Sequence, residues 1–191
     1  MKKNSFIIGI SLLSLLILQG CEVEVINKDG EELPLQKNTV ANISCDENKT
    51  LKFREENSSI TITGPCDSVS ISSKNSTFII ESTKSFQLAG RGNKIHINTP
   101  ITSAQIAGTG NHLQLDQTEK MAIAGVNNNI KLNSVERMDI AGLYNHIKVA
   151  KLGTAHMAGI WSKVEYQDGL EPAQAISVQT HGFLNKFQQT R

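Results

Sequence analysis

"MAIAGVNNNIKLNSVERMDIAGLYNHIKVAKLGTAHMAGIWSKVEY", Met121 to Tyr166, states one pattern three times. Each copy reads apolar-x-apolar-Ala-Gly, four further residues, then apolar-x-apolar. Two more copies precede it, "FQLAGRGNKIHI" from Phe86 and "AQIAGTGNHLQL" from Ala104. Gly90, Gly108, Gly125, Gly142 and Gly159 therefore follow one another at steps of 18, 17, 17 and 17 residues. Weaker copies start at Leu51 and Val69, with Glu55 and Ser73 in place of glycine. A period of this kind is the signature of a repeat architecture.

The apolar pairs on either side of each glycine, such as Met121/Ile123 and Ile130/Leu132, are spaced by two. That is the period of a strand, and no apolar stripe at helical spacing persists across the copies. Short strands and turns within 17 or 18 residues make one coil of a parallel β-solenoid, with successive coils stacked about 4.8 Å apart. The sequence thus predicts a single-domain, all-β rod of about seven coils over residues 51–169, roughly 30 Å long. A second corner in each coil carries an inward residue such as Pro100, Val135 or Leu152. The 17–18-residue copies leave 21–50 as tether and N-terminal cap, and 170–191 as C-terminal cap.

The fixed letters have structural readings. Glycine at the turn reaches positive φ without a Cβ penalty. Asn93, Asn111, Asn128 and Asn145, three residues on, suit a left-handed turn, and their amides can bond the backbone or the same Asn one coil away. Ala89, Ala107, Ala124, Ala141 and Ala158 alternate outward. They meet either crowding at the bend or a docking need.

The chain opens "MKKNSFIIGISLLSLLILQGC". Lys2 and Lys3 precede an apolar run, Phe6 to Leu18, too short for the about 20 residues that span a bilayer. Residues 1–20 read as an export signal. Leu18-Gln19-Gly20-Cys21 resembles a bacterial lipobox, which implies acylation of Cys21 and a membrane anchor. The other reading is an ordinary signal cut nearby. Glu22, where Asp would favour inner-membrane retention, points to the outer membrane and a periplasm-facing rod. Without residues 1–20 the chain has 17 basic against 18 acidic side chains, no footprint for nucleic acid. In an oxidising envelope the remaining pair, Cys45 and Cys66, reads as a disulfide.

"CDENKTLKFREENSSITITGPC" together with the Gly-x-x-Asn repeats resembles a bacterial domain family of unknown function found in exported and lipid-anchored proteins. That pattern pairs a Cys with a later Gly-x-Cys and repeats Val-x-Gly-x-x-Asn-x-Val. The resemblance runs over roughly residues 43–166. Glu55, Ser73 and Ser162 depart from it. It implies an exported β-solenoid and assigns no catalytic residue.

Chemistry is sparse. His112 and His146 share a repeat position but stand two coils apart, about 9.6 Å, too far for one metal ion. No Asp recurs at a turn to bind calcium between coils, so neither metal nor cofactor is expected. A polysaccharide lyase or hydrolase would need clustered carboxylates or a base on one face. The nearest approaches are the adjacent-coil pairs Asp139/His156 and Lys148/Glu165. The sequence reads as a non-catalytic binding or structural module, with the carbohydrate-active enzyme as the alternative.

One corner breaks its own rule. The two residues after the glycine are polar in early coils, then become Val126/Asn127, Leu143/Tyr144 and Ile160/Trp161. Stacked, Val126, Leu143, Tyr144, Ile160 and Trp161 form an apolar patch of the composition seen where an envelope protein partner docks. Alternatively the C-terminal segment, with Phe183, Leu184 and Phe187, folds back as an apolar plug over it.

Overall fold

Between Asn128 and Ile140 the inward residues are Ile130, Leu132, Val135, Met138 and Ile140. The spacing of two is interrupted twice by a spacing of three, and each interruption places two adjacent residues outward. A ribbon with that pattern must bend twice. A third corner, at the Ala-Gly position, closes the coil.

The computed structural model describes residues 37–170 and 176–190. Its strands are β1 (Val40–Ser44), β2 (Thr50–Phe53), β3 (Ser59–Ile71), β4 (Thr77–Leu88), β5 (Lys94–Ile97) and β6 (Ile101–Ile106). There follow β7 (His112–Ile123), β8 (Asn129–Ile140), β9 (His146–Met157), β10 (Lys163–Gly169), β11 (Ser177–Thr180) and β12 (Lys186–Gln189). Every pairing is parallel and joins residues one coil apart, as in Leu113↔Ile130↔Ile147↔Val164↔Phe187. The result is a single-domain, all-β solenoid of about eight turns.

The ladder runs past both ends of the expected repeat region. β1 pairs with β3, so residues expected in the N-terminal cap form the first coil. β11 pairs with β9 and β12 with β10, so the last turn lies where a C-terminal cap was expected. Gly182-Phe183-Leu184-Asn185 repeats the corner motif 23 residues after Gly159 instead of 17. The longer step hides it from a fixed-period reading. The second corner is filled by Cys66, Thr83, Ile101, Thr118, Val135 and Leu152. Ile101, not Pro100, takes the inward position. The Thr83 and Thr118 hydroxyls donate to the carbonyls of Ser85 and Lys120 within their own bends, at 2.9 and 3.1 Å.

The repeated glycines are required for a different reason from the expected one. None of Gly90, Gly108, Gly125, Gly142 or Gly159 has positive φ; the left-handed residue stands two positions later, at Asn57, Asn75, Gly92, Gly110, Asn127, Tyr144, Trp161 and Leu184. A Cβ on Gly125 would sit 2.1 Å from the Gly108 carbonyl oxygen and 2.4 Å from Asn128 Nδ2. The glycines let backbone stack on backbone. The buried asparagines then close the corner: Asn128 Nδ2 donates to Gly108 O at 2.9 Å and to Asn145 Oδ1 at 3.0 Å. Asn128 Oδ1 in turn accepts from Asn111 N and Nδ2, both at 3.0 Å. Asn93, Asn111 and Asn145 stand in the same ladder. At the two departures from glycine, the Ser73 hydroxyl donates to Glu55 Oε2 at 3.2 Å. Burial raises the pKa of Glu55.

Cys45 and Cys66 form a disulfide across 21 residues, joining the corner between β1 and β2 of the first coil to the second coil. Gly64 makes the approach possible: its φ is +83°, and a Cβ there would sit 2.5 Å from the Cys45 carbonyl oxygen. A loop of this length predicts that Cys45→Ala with Cys66→Ala costs about 3 kcal/mol. Urea melts of the two forms check this. Equal midpoints would mean the link adds nothing to the folded chain.

Candidate functional site

The corner that reverses the chain after each Ala-Gly is polar in the early coils, through Glu56, Lys74, Arg91 and Thr109, which stack on one another. The same ladder continues Val126, Leu143, Ile160, Phe183. Val126 is half-buried; Leu143, Ile160 and Phe183 are exposed. One residue on, at the left-handed position, stand Tyr144 (55% exposed), Trp161 (53%) and Leu184 (50%). The Tyr144 and Trp161 rings stack with centroids 6.1 Å apart and an interplanar angle of 30°. The structure therefore brings the sequence-predicted patch together as one surface.

Among the described residues, the C-terminal segment does not cover it. Trp161 N donates to the Phe183 carbonyl at 3.0 Å, so Phe183 and Leu184 stack as the next step of the corner and lengthen the patch. Of the expected plug, only Phe187 turns inward, where its ring stacks on Tyr166 at 4.7 Å. Sequence reasoning missed Phe183 and Leu184 as patch residues. The signal was Gly182-x-x-Asn185, which places them in register with Ile160 and Trp161.

Backbone geometry adds a second observation. Tyr144, Trp161 and Leu184 have φ of +54°, +56° and +57°. Earlier coils use Asn or Gly there, which visit this region at little cost, whereas a bulky side chain is strained by about 1 kcal/mol. The chain accepts strain and exposure together at three consecutive corners.

Beside the ridge, the strand that follows carries a charged cluster. Glu165 is 13% exposed and receives Lys148 Nζ at 3.3 Å on Oε2 and Lys163 Nζ on Oε1. His146 Nε2, itself buried, lies 3.3 Å from Oε2 without the alignment of a full hydrogen bond. Lys163 foremost, with Lys148 and His146 behind it, outweighs the burial and lowers the Glu165 pKa to about 2. Lys131, Asn133, Lys148, Glu165, Gln167 and Thr190 line a shallow groove of about 400 Å³ on this side. Asp139 pairs with His156 Nδ1 at 3.2 Å and with Arg137 Nε at 3.1 Å, both on exposed surface.

Glu165 makes a pH prediction. Its folded pKa lies below the ordinary 4.5, so its contribution is complete above that value and is lost as pH falls toward about 2. Its cationic partners are a third or more exposed, so the contribution is on the order of 1 kcal/mol. The melting temperature should hold from neutrality to roughly pH 5 and then fall, and Glu165→Gln should flatten part of that fall. Superimposable acid profiles would remove Glu165 from the account.

Among the described residues, no group of three or more His, Cys, Asp or Glu side chains is placed to hold a metal ion. His112 and His146 are separated by Asn129 in the same ladder. Cys21 lies outside the described residues. Comparisons with family models, with curated proteins and with solved structures return no match to this chain.

Proposed function

We propose that this chain is a lipid-anchored envelope protein that works without catalysis, as a binding or structural module displaying the apolar corner. The observation that carries the reading is the exposed run of Leu143, Tyr144, Ile160, Trp161, Phe183 and Leu184, continuing a corner ladder that holds Glu56, Lys74, Arg91 and Thr109 in the coils before Val126. Large exposed apolar clusters on a folded surface mark interaction sites. The three left-handed corner residues among them incur backbone strain that Asn or Gly would avoid. An export signal, the Leu-Gln-Gly-Cys21 lipobox and a disulfide suited to an oxidising compartment support the location. The resemblance to exported solenoid proteins points the same way.

A carbohydrate-active enzyme is the second reading, favoured by the groove beside Lys131, Lys148 and Glu165. Glu165 is a poor general acid there, because three cationic partners keep it ionised far below neutral pH.

Two measurements test the proposal. Mass spectrometry of the membrane-extracted protein should find Cys21 acylated at the N-terminus; an unmodified thiol on a chain cut elsewhere removes the anchor. Tyr144→Asn with Trp161→Asn should raise stability by about 1 kcal/mol, because relief of strain exceeds the loss of one exposed ring stack. A melting temperature higher by a few degrees would mark the rings as retained for a purpose other than folding. A loss of more than about 2 kcal/mol would assign the corner to stability instead.

A further inference from the structure

We infer that the apolar corner is a membrane-inserting ridge, and that its ligand is the interface of an anionic phospholipid bilayer. The inference rests on the envelope-anchored reading for its tether and names the occupant of the same surface. Three features of the ridge select a bilayer over a folded partner.

The first is shape. The six side chains occupy the outer edge of a turn on three consecutive coils, a convex line and not a pocket or a flat face. A folded partner would need a matching concave slot, whereas lipid headgroups part around a convex apolar edge. The second is composition. Trp and Tyr sit among aliphatic residues, and such amphipathic rings settle at the boundary between headgroups and acyl chains.

The third is charge. On the strand face beside the ridge, the last four coils present Lys131, Lys148, Lys163 and Lys186. Glu165 is the one carboxylate at those strand positions. Lysine stems can lie along the apolar edge while their ammonium groups meet phosphates, and Lys131 and Lys186, which stand outside the Glu165 cluster, add attraction to an anionic surface. In the early coils, the corner positions hold Glu56, Lys74, Arg91 and Thr109, polar groups that belong in water.

Chain length fits the geometry. Fifteen residues separate Cys21 from Lys37, and the sixteen steps between them reach at most about 55 Å when extended. Seven coil steps separate the corner at Asn38 from that at Trp161, roughly 34 Å along the rod. An acyl group at Cys21 and the ridge can therefore occupy the same membrane. The rod then lies along the surface, with the anchor raising the effective concentration of the ridge at the bilayer.

Trp161 is the only tryptophan, so its fluorescence reports the ridge alone. The full chain, extracted from membranes, is reconstituted into vesicles of phosphatidylcholine with or without one quarter phosphatidylglycerol. Phosphatidylcholine brominated near the headgroup or deep in the acyl chain serves as quencher. In anionic vesicles, Trp161 emission should shift to the blue and be quenched at least twofold, most strongly by the shallow bromines. Leu143→Ser with Tyr144→Ser and Phe183→Ser should abolish the quenching. Lys131→Gln with Lys186→Gln, which leaves the Glu165 cluster intact, should reduce it and remove its dependence on phosphatidylglycerol.

A Trp161 that stays red-shifted and open to acrylamide on vesicles carrying the protein overturns the inference and returns the ridge to a protein partner. The acyl group is weighed on the same preparation. Acylation without quenching sinks the ridge and keeps the anchor. Quenching by a chain whose native Cys21 carries no acyl group keeps the ridge and sinks the anchor, whereas quenching by Cys21→Ser shows that the ridge inserts without it.

Discussion

Asn128→Ala should remove at least about 4 kcal/mol of stability, more than the deletion of most core side chains. The side chain is buried and makes four hydrogen bonds: to the Gly108 carbonyl, to the Asn145 side chain, and from the Asn111 backbone and side-chain amides. Alanine fills little of the space and, on the two flanking coils, leaves Asn111 N and one Asn111 Nδ2 hydrogen without an acceptor, while the Gly108 and Asn145 oxygens each lose one of their bonds. Each orphaned group costs about 1–3 kcal/mol. Asn128→Asp should fare little better, since it loses both donated bonds and buries a charge. Urea denaturation of the variant measures the effect. A loss below about 1 kcal/mol would mean that water or a shift of the coil replaces the ladder.

Gly142→Ala should be worse, abolishing the cooperative transition or costing more than about 4 kcal/mol. The added Cβ would lie 1.9 Å from the Gly125 carbonyl oxygen, 2.5 Å from Asn145 Nδ2 and 2.9 Å from the Gly125 carbonyl carbon. Two of those three atoms are backbone, fixed by strands on both sides of the corner, so the coils must separate to admit a methyl group. Gly110→Ala is the matched control. Its φ is +65° and nothing lies within 4 Å of the added carbon, so it should cost only the left-handed penalty of about 1–2 kcal/mol. Circular dichroism melts of the two variants separate close approach from backbone strain. Equal losses would show that the glycines serve conformation alone.

That contrast also marks how far the sequence could be read. Alternation spaced by two and glycines at steps of 17 and 18 forced a parallel solenoid, because no other packing buries Ile130, Leu132, Met138 and Ile140 against their counterparts one coil away. Register followed directly. Lys148 and Glu165 met as expected, and so did Asp139 and His156. The reason for the glycines did not follow, since a letter that permits positive φ is the same letter that permits backbone contact. Only coordinates place the left-handed residue two positions later. The last turn escaped because its step is 23 residues long, and a fixed period assigns Phe183 and Leu184 to a cap instead of the ridge. The cations around Glu165 were half legible. Lys163 stands two residues away on the same strand and therefore on the same face, a consequence of alternation that needed no structure. The strain at Tyr144, Trp161 and Leu184 was invisible, because nothing in a sequence states the sign of φ.

The Asn ladder also has a weak end, and its position bears on mechanics. Toward the N-terminus the asparagines give way to Ser58 and Ser76, whose hydroxyls each accept one backbone N–H and donate to one nearby carbonyl. Those corners resist peeling less than the asparagine corners behind them, whose side chains make three or four bonds each. A load applied at Lys37 would open the first coil before any other, one hydrogen bond at a time. The Cys45–Cys66 link limits the damage. After nine residues, Lys37 to Cys45, have been drawn out to about 30 Å, tension passes covalently to β3, inside the second coil. From there it must shear a long strand still paired with β4 along one edge and with β2 on part of the other, a geometry in which many bonds break together. The rod is thus built with a short extensible leader and a hard stop, a shock absorber at the end nearest Cys21.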